Sequence, residues 1–227
     1  MILDIAKFSV QGFIKITDKD TGEVLLDTHN DVLYGNLSSA VAHALLGNTD
    51  SLLFYLAFGN GAAYVNGVGG IEYKPTLGGA ASIVKNPTAN LYDTIYVKKL
   101  SNDSTPITEY TSESRAYIPA ENYASNYEDI IVTVVVQGSE PPIGISPTSS
   151  MVFNEIGLFA GSNNIFPGSY TQTTAEVDSF VAQTPNFSNT ATSKSKIMLT
   201  HVIFEPITKT SIQSLELTYT LRIQMGV

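Results

Sequence analysis

From Ser214 to Gln224 (SLELTYTLRIQ) large apolar residues alternate with polar ones without a break. A period of two puts Leu215, Leu217, Tyr219, Leu221 and Ile223 on one face of a strand, and Glu216, Thr218, Thr220, Arg222 and Gln224 on the other. Upstream, Lys196–Glu205 (KIMLTHVIFE) is a second strand-like run, which Pro206 is expected to end by removing a ladder donor. Met151–Gly161 (MVFNEIGLFAG) is a third. Ile130–Gln137 (IIVTVVVQ) is the most β-branched run in the chain and reads as a central, well-covered strand. Near the start, Phe8–Thr17 places Val10, Gly12, Ile14 and Ile16 on one side; Glu23–Thr28 returns after the turn residues Asp18–Gly22, making a β-hairpin.

One stretch has helical periodicity. Within Asn36–Leu46, Leu37, Val41, Ala44 and Leu45 form a stripe, with Asn36 placed as N-cap and Gly47 as the C′ glycine. The continuous apolar run Ser51–Phe58 (SLLFYLAF), bounded by Gly59-Asn60-Gly61, reads as a buried strand ending in a tight turn. Residues 62–128 change in texture, with glycine-rich pieces, recurring tyrosines and isolated strand-like segments such as Thr94–Leu100. So long a stretch is read as an extended insertion or arm. A second low-complexity segment, 162–195, reads as a long polar loop. The expectation is a single domain over 1–227, mainly β: an antiparallel β-sandwich-like domain with one short α-helix and long loop insertions.

Composition narrows the function classes. The chain has 227 residues, 43% hydrophobic and 15% charged, the balance of a folded globular protein. Its 21 acidic against 12 basic residues give a net charge of −9, which disfavours nucleic acid and anionic membrane surfaces as partners. Cysteine is absent, which removes disulfides, zinc-thiolate sites and thiol nucleophiles. The N-terminus lacks the basic flank and cleavage site of a signal peptide, so synthesis and folding in the cytoplasm are expected.

Catalytic chemistry does not stand out. Asp18 and Asp20 are spaced like the first two ligands of a calcium loop, but His29 occupies the twelfth position, where that loop needs an acid. His29, His43 and His201 have no ligand spacing and read as unrelated structural or surface residues. No Gly-x-Ser-x-Gly elbow occurs. The expectation is therefore no enzyme, no cofactor and no metal. Glu155 is the exception to watch, because a carboxylate inside an apolar strand needs hydrogen-bonding partners. Gly157, two residues on, marks a bulge or a close backbone approach. Glu155 is expected to accept hydrogen bonds from the Gly59-Asn60-Gly61 turn, making one supported corner. There Gly157→Val is expected to crowd the site, and Glu155→Gln to cost less.

The order of these pieces resembles the N-terminal attachment domain of tailed-bacteriophage tail-collar and tail-fibre proteins. It is also similar to small virion structural proteins of contractile-tailed phages. The residues that carry the resemblance are Ala57, Phe58, Gly59, Asn60 and Gly61 after the helix; then Asn154, Glu155, Ile156, Gly157, Leu158 and Phe159; then the strands after Lys196. Together they span roughly half of the chain and leave out the insert and the polar loop. The resemblance implies a virion component assembled in the host cytoplasm, in tail, neck or collar, or baseplate. Its partners would be other virion proteins and copies of itself, in a homo-oligomer. Because the chain stops at Val227 without a shaft, an adaptor, collar or decoration role is expected rather than a complete fibre. A carbohydrate-binding β-sandwich module, with loop tyrosines stacking on sugars, or a capsid decoration protein is the alternative.

Overall fold

The computed structural model describes residues 7–47, 53–78, 83–102, 114–119, 126–140, 150–161 and 196–226. The polar loop expected at 162–195, the Pro141–Pro147 connection and the tyrosines at 110 and 123 lie outside them. The chain is mainly β, with one short helix and a large curled antiparallel sheet, a β-sandwich-like domain as the patterning implies.

The N-terminal hairpin forms from β1 (Lys7–Asp18) and β2 (Val24–Val32), followed by α1 (Tyr34–Leu45) and β3 (Leu53–Gly59). A small hairpin of β4 (Ala63–Val65) and β5 (Ile71–Tyr73) makes a sheet of its own. The segment holding β6 (Thr94–Lys99) and β7 (Ser101–Asn102) leads to β8 (Arg115–Tyr117) and β9 (Tyr127–Val136). The long strands β10 (Ser150–Gly161), β11 (Lys196–Thr210) and β12 (Leu215–Gly226) complete the set. Ten strands run side by side in the order β6-β3-β10-β11-β2-β1-β12-β9-β8-β7. All neighbours are antiparallel except β7 and β8.

Two features curl this sheet. β2 pairs with β1 as far as Asn30, then Asp31 and Val32 switch to His201 and Thr200 of β11, which makes a corner. At the far side, Leu100 alone separates β6 from β7, so the two ends of the sheet belong to one continuous segment. The inward faces meet in one core. Val10, Ile14 and Ile16 of β1 and Leu215, Leu217, Tyr219 and Leu221 of β12 pack with Leu56 and Phe58 of β3 and Phe153 and Ile156 of β10. The alternation read from Leu215 to Leu221 is thus the burial pattern: each odd residue is buried and each even one only partly covered. A second, smaller cluster covers the other face of the β6-β3-β10-β11 half. Tyr55, Ala57, Val97, Phe159 and Met198 lie there beneath Ala89 and Leu91. That half is therefore apolar on both faces, which is why its strands read as continuous runs.

Three local expectations are corrected. Pro206 does not end its strand, since β11 continues to Thr210. Ile203 pairs with Glu155 and Ile207 with Phe153, so residues 204–206 face Asn154 alone, in a bulge where the ladder needs no donor from Pro206. The helix begins at Tyr34, not after Asn36, with Leu33 at the N-cap position and no side-chain cap. Asn36 is instead buried, its amide donating to the carbonyls of Asn86 and Met198 at 2.8 Å each and accepting from the Asn86 N–H. Its buried face is Asn36, Leu37 and Ala40, while Val41 and Leu45 of the expected stripe face solvent. Gly47 does take the left-handed C′ conformation, φ 77°. Part of the stretch read as an arm is integral: β6 pairs along β3, and Tyr96, Val97 and Leu100 are buried.

Two substitutions on one strand check the face assignment. Leu217→Asp places a charge in the core and is expected to cost more than about 4 kcal/mol, enough to abolish soluble folded protein. Thr218→Asp, on the outward face, should stay within about 0.5 kcal/mol of the parent in a urea titration. Comparable losses from both would refute the assignment.

Candidate functional site

The second face of the β3-β10-β11 layer carries the polar cluster on which the surrounding loops converge. β10 and β3 pair with Glu155 opposite Gly59, and Gly157 with Ala57; on the other side Gly157 pairs with His201 of β11. Register alone thus brings the Gly59-Asn60-Gly61 turn, Glu155 and His201 together.

Glu155 is fully buried and its carboxylate accepts four hydrogen bonds. Oε1 accepts from the N–H groups of Gly61 (3.2 Å) and Asp93 (3.0 Å). Oε2 accepts from Tyr92 N–H (3.0 Å) and from Nε2 of His201 (3.1 Å). The other ring nitrogen, Nδ1, accepts from Leu77 N–H at 3.1 Å, so the proton of the imidazole sits on Nε2 and points at the carboxylate. Burial pushes the Glu155 carboxyl pKa up, but the His201 hydrogen bond and the Tyr92 and Asp93 backbone donors outweigh it, and the net direction is down. The magnitudes agree. Desolvating one carboxylate costs several kcal/mol, and four donors to a charged acceptor return roughly 1.5–3 kcal/mol each.

The turn glycines serve close approach. A Cβ on Gly59 would lie 2.5 Å from Glu155 Oε1 and 2.6 Å from the Asp93 carbonyl oxygen. On Gly61 it would lie 2.7 Å from the Asp93 nitrogen. Asn60 contributes only backbone: its N–H donates to the Asp93 carbonyl (3.1 Å) and its carbonyl accepts from Asn154 Nδ2 (3.2 Å). The three atoms nearest a Cβ on Gly157 all belong to side chains, those of Leu91 (3.0 Å), Phe159 (3.0 Å) and Met198 (3.1 Å). The close approach expected there is made by side chains.

Four contributors escape a reading of single motifs. Asn154 is buried, and its Oδ1 accepts from Ala62 N–H (3.2 Å), fixing the end of the turn. His201, expected to be structural or at the surface, is fully buried and structural, tied to Glu155. Asp31 accepts from the Thr76 hydroxyl, and its backbone and Cβ leave no room for a side chain at Gly78. Tyr92 closes the corner, its hydroxyl donating to the Pro75 carbonyl (2.7 Å) and its ring lying under Lys74 Nζ (4.5 Å). One signal for the pair was in the sequence: Glu155 and His201 are charged or titratable residues in the two most apolar C-terminal runs, and each needs a buried partner.

Chemically, this is a support. The carboxylate's acceptor sites are taken by four donors, and both imidazole nitrogens are engaged. Asp18 and Asp20 likewise satisfy protein donors. Asp18 accepts from the N–H groups of Asp20 and Thr21 and from Gln213 Nε2, and Asp20 from Ser214 N–H. Among the described residues no cluster of three or more His, Asp or Glu is arranged to hold a metal ion.

The geometry reverses the expected ranking of substitutions. In Glu155→Gln the new NH2 group must face two N–H donors whichever way the amide turns, so a loss of about 3 kcal/mol is expected. Gly157→Val meets deformable side chains and should cost about 2 kcal/mol. Urea unfolding of the two variants decides the order; a Gln variant as stable as the parent would refute the four-donor arrangement. Because the folded pKa of Glu155 is depressed, its contribution is present above the ordinary carboxyl value of 4.5 and is lost as pH falls further. The parent's stability should therefore drop more steeply below pH 4.5 than that of Glu155→Gln, measured as urea midpoint against pH. Comparison with protein-family models, with curated proteins and with solved structures finds no match.

Proposed function

We propose that this chain is a structural component of a bacteriophage virion, of the fibre-attachment type found in tail, neck or collar, or baseplate, and that it works by protein–protein assembly. The observation that supports this reading is the meeting of the two resembling motifs. The Gly59-Asn60-Gly61 turn and the Asn154–Phe159 strand interlock through Glu155 and Asn154 into one rigid corner. From that corner the β4-β5 hairpin leaves the body of the sheet. A two-stranded hairpin is marginal alone, and a fixed base that presents it at a set angle suits a contact element. The chemistry is passive: surface complementarity and strand pairing between neighbours.

A carbohydrate-binding role is the second reading, and one observation favours it. On the outward face of β12, Arg222 forms a two-pronged ion pair with Asp129 (2.8 Å for each bond) and lies 4.0 Å over the Tyr127 ring. Such a grouping sets an aromatic ring, with the guanidinium over one face, beside a charged pair of the kind that meets sugar hydroxyls.

Mass spectrometry and immunogold labelling of intact particles from cells that express the chain test the first reading. A fixed copy number per particle and label at one site are expected. Absence from purified particles, together with glycan-array binding that Arg222→Ala reduces tenfold or more, would replace it with the second.

A further inference from the structure

An asparagine side chain is attacked most readily by the backbone nitrogen that follows it when that nitrogen belongs to glycine, which sets no Cβ against the closing ring. The chain holds two such pairs, Asn60-Gly61 and Asn66-Gly67. The fold treats them in opposite ways.

At Asn60 the attacking nitrogen is withdrawn. Gly61 N–H donates to Glu155 Oε1 (3.2 Å), and a hydrogen bond to a carboxylate keeps the proton on the amide. Space beside Gly61 is closed as well, since an added Cβ would lie 2.7 Å from the backbone nitrogen and from the Cβ of Asp93. The backbone on either side is tied, through Asn60 N–H to the Asp93 carbonyl and Ala62 N–H to Asn154.

Asn66 lies in the turn of the β4-β5 hairpin, and there the reacting atoms are open and oriented. Gly67 N–H meets no acceptor among the described residues, and a Cβ added to Gly67 would have nothing within 4 Å. The Asn66 carboxamide is held at both ends. Nδ2 donates to Glu72 Oε1 (2.8 Å). Oδ1 accepts from the N–H groups of Val68 (3.1 Å) and Gly70 (2.8 Å). The bond to Val68, two residues on, folds the side chain back along the Asn66-Gly67 peptide. Two N–H groups aimed at one carbonyl oxygen are also the arrangement that stabilises a tetrahedral oxyanion. The turn keeps this shape because Asn66 N–H donates to the Gly70 carbonyl (2.8 Å) and Gly69 N–H to the Asn66 carbonyl (3.0 Å).

We infer that Asn66 is a site of self-modification, at which the Gly67 nitrogen closes on Asn66 Cγ to a cyclic imide that water opens to aspartate or isoaspartate. In the first step the bond from Gly67 N to Cγ forms and the bond from Cγ to Nδ2 breaks. Nδ2 departs as ammonia, with the Gly67 amide proton delivered through solvent. In the second step water adds to one of the two imide carbonyls. Opening on one side gives aspartate; opening on the other gives isoaspartate, whose main chain runs through Cγ. The product alters the hairpin. A carboxylate replaces the amide that donates to Glu72, so an attractive contact becomes one between like charges. In isoaspartate the extra main-chain carbon also upsets the spacing of the two turn bonds between Asn66 and residues 69 and 70. This chemistry does not depend on the assembly reading.

Peptide mapping by mass spectrometry of protein aged in mildly alkaline buffer tests it, with the urea-unfolded chain as reference. In the folded protein the peptide holding Asn66 should gain about 1 Da with time, and part of the product should be a substrate for an isoaspartyl methyltransferase. Asn60 should stay intact. Urea should remove the difference, since both pairs then lie in open chain. Gly67→Ala, at an exposed position without a positive φ, should match the parent by circular dichroism and slow the conversion roughly tenfold or more. Asn66 unchanged in the folded protein overturns the inference. Equal conversion of Asn60 and Asn66 in the folded state overturns it too, as does a Gly67→Ala variant that converts as fast as the parent.

Discussion

A single carboxylate organises the loops of this protein. Glu155 sits in the middle of a strand that is apolar on both faces, where an unpaired charge would be ruinous. It is tolerable because the turn after β3, the backbone at Tyr92 and Asp93 and the ring of His201 all direct hydrogens at it. Dependence runs in the other direction as well. Three of the donors, Gly61, Tyr92 and Asp93, give backbone N–H groups from turn and loop segments, and without the carboxylate these groups would lose that partner. Through His201 the network extends to Leu77, so the chain on both sides of the β4-β5 hairpin is fixed by one side chain.

The double-sided character of the β6-β3-β10-β11 half follows from the same arrangement. Its inner face packs on the β1-β12-β9 half, and its outer face is roofed by Ala89 and Leu91. The roof is irregular backbone, and buried irregular backbone needs polar partners. Asn36, Asn154 and Glu155 supply them, each from a regular element to a loop. Buried polar side chains here substitute for the hydrogen-bond ladder that a further strand would have provided.

Strand periodicity made much of the architecture legible. Leu215–Leu221, Val10–Ile16 and residues 132–136 of the β-branched run are buried as alternation or composition implies, because each contacts a core whose direction the period of two determines. The corner between Glu155 and the Gly59–Gly61 turn was legible for another reason: a polar residue inside an apolar run and a turn with spare N–H groups are complementary demands. His201 was legible only as a titratable residue in an apolar run; a lone histidine carries no periodic signal that names a partner 46 positions away. Pro206 was misread since a proline's effect depends on whether its nitrogen faces a ladder partner, a property of the bulge opposite Asn154 and not of the local sequence. The helix start was misread because Asn36 has the side chain of a capping residue, yet its amide is used by Asn86 and Met198.

The position of β12 has a consequence for how the molecule is made. It is the last of the described strands, yet it lies between β1 and β9 and pairs with each over ten or more residues. During vectorial synthesis the first hairpin leaves the ribosome with the open edge of β1 unsatisfied, and β9 follows with an open edge of its own. Neither can be closed until residues 215–226 have emerged. The nascent chain thus carries two long open edges while residues 137–214 are being made, the condition under which chains pair wrongly with each other. Lys15 on β1 and Glu128 and Asp129 on β9 place charge along those waiting edges. Contacts so distant in sequence also make slow closure the expected kinetics. Translation rate and chaperone supply are therefore expected to weigh on the yield of folded protein.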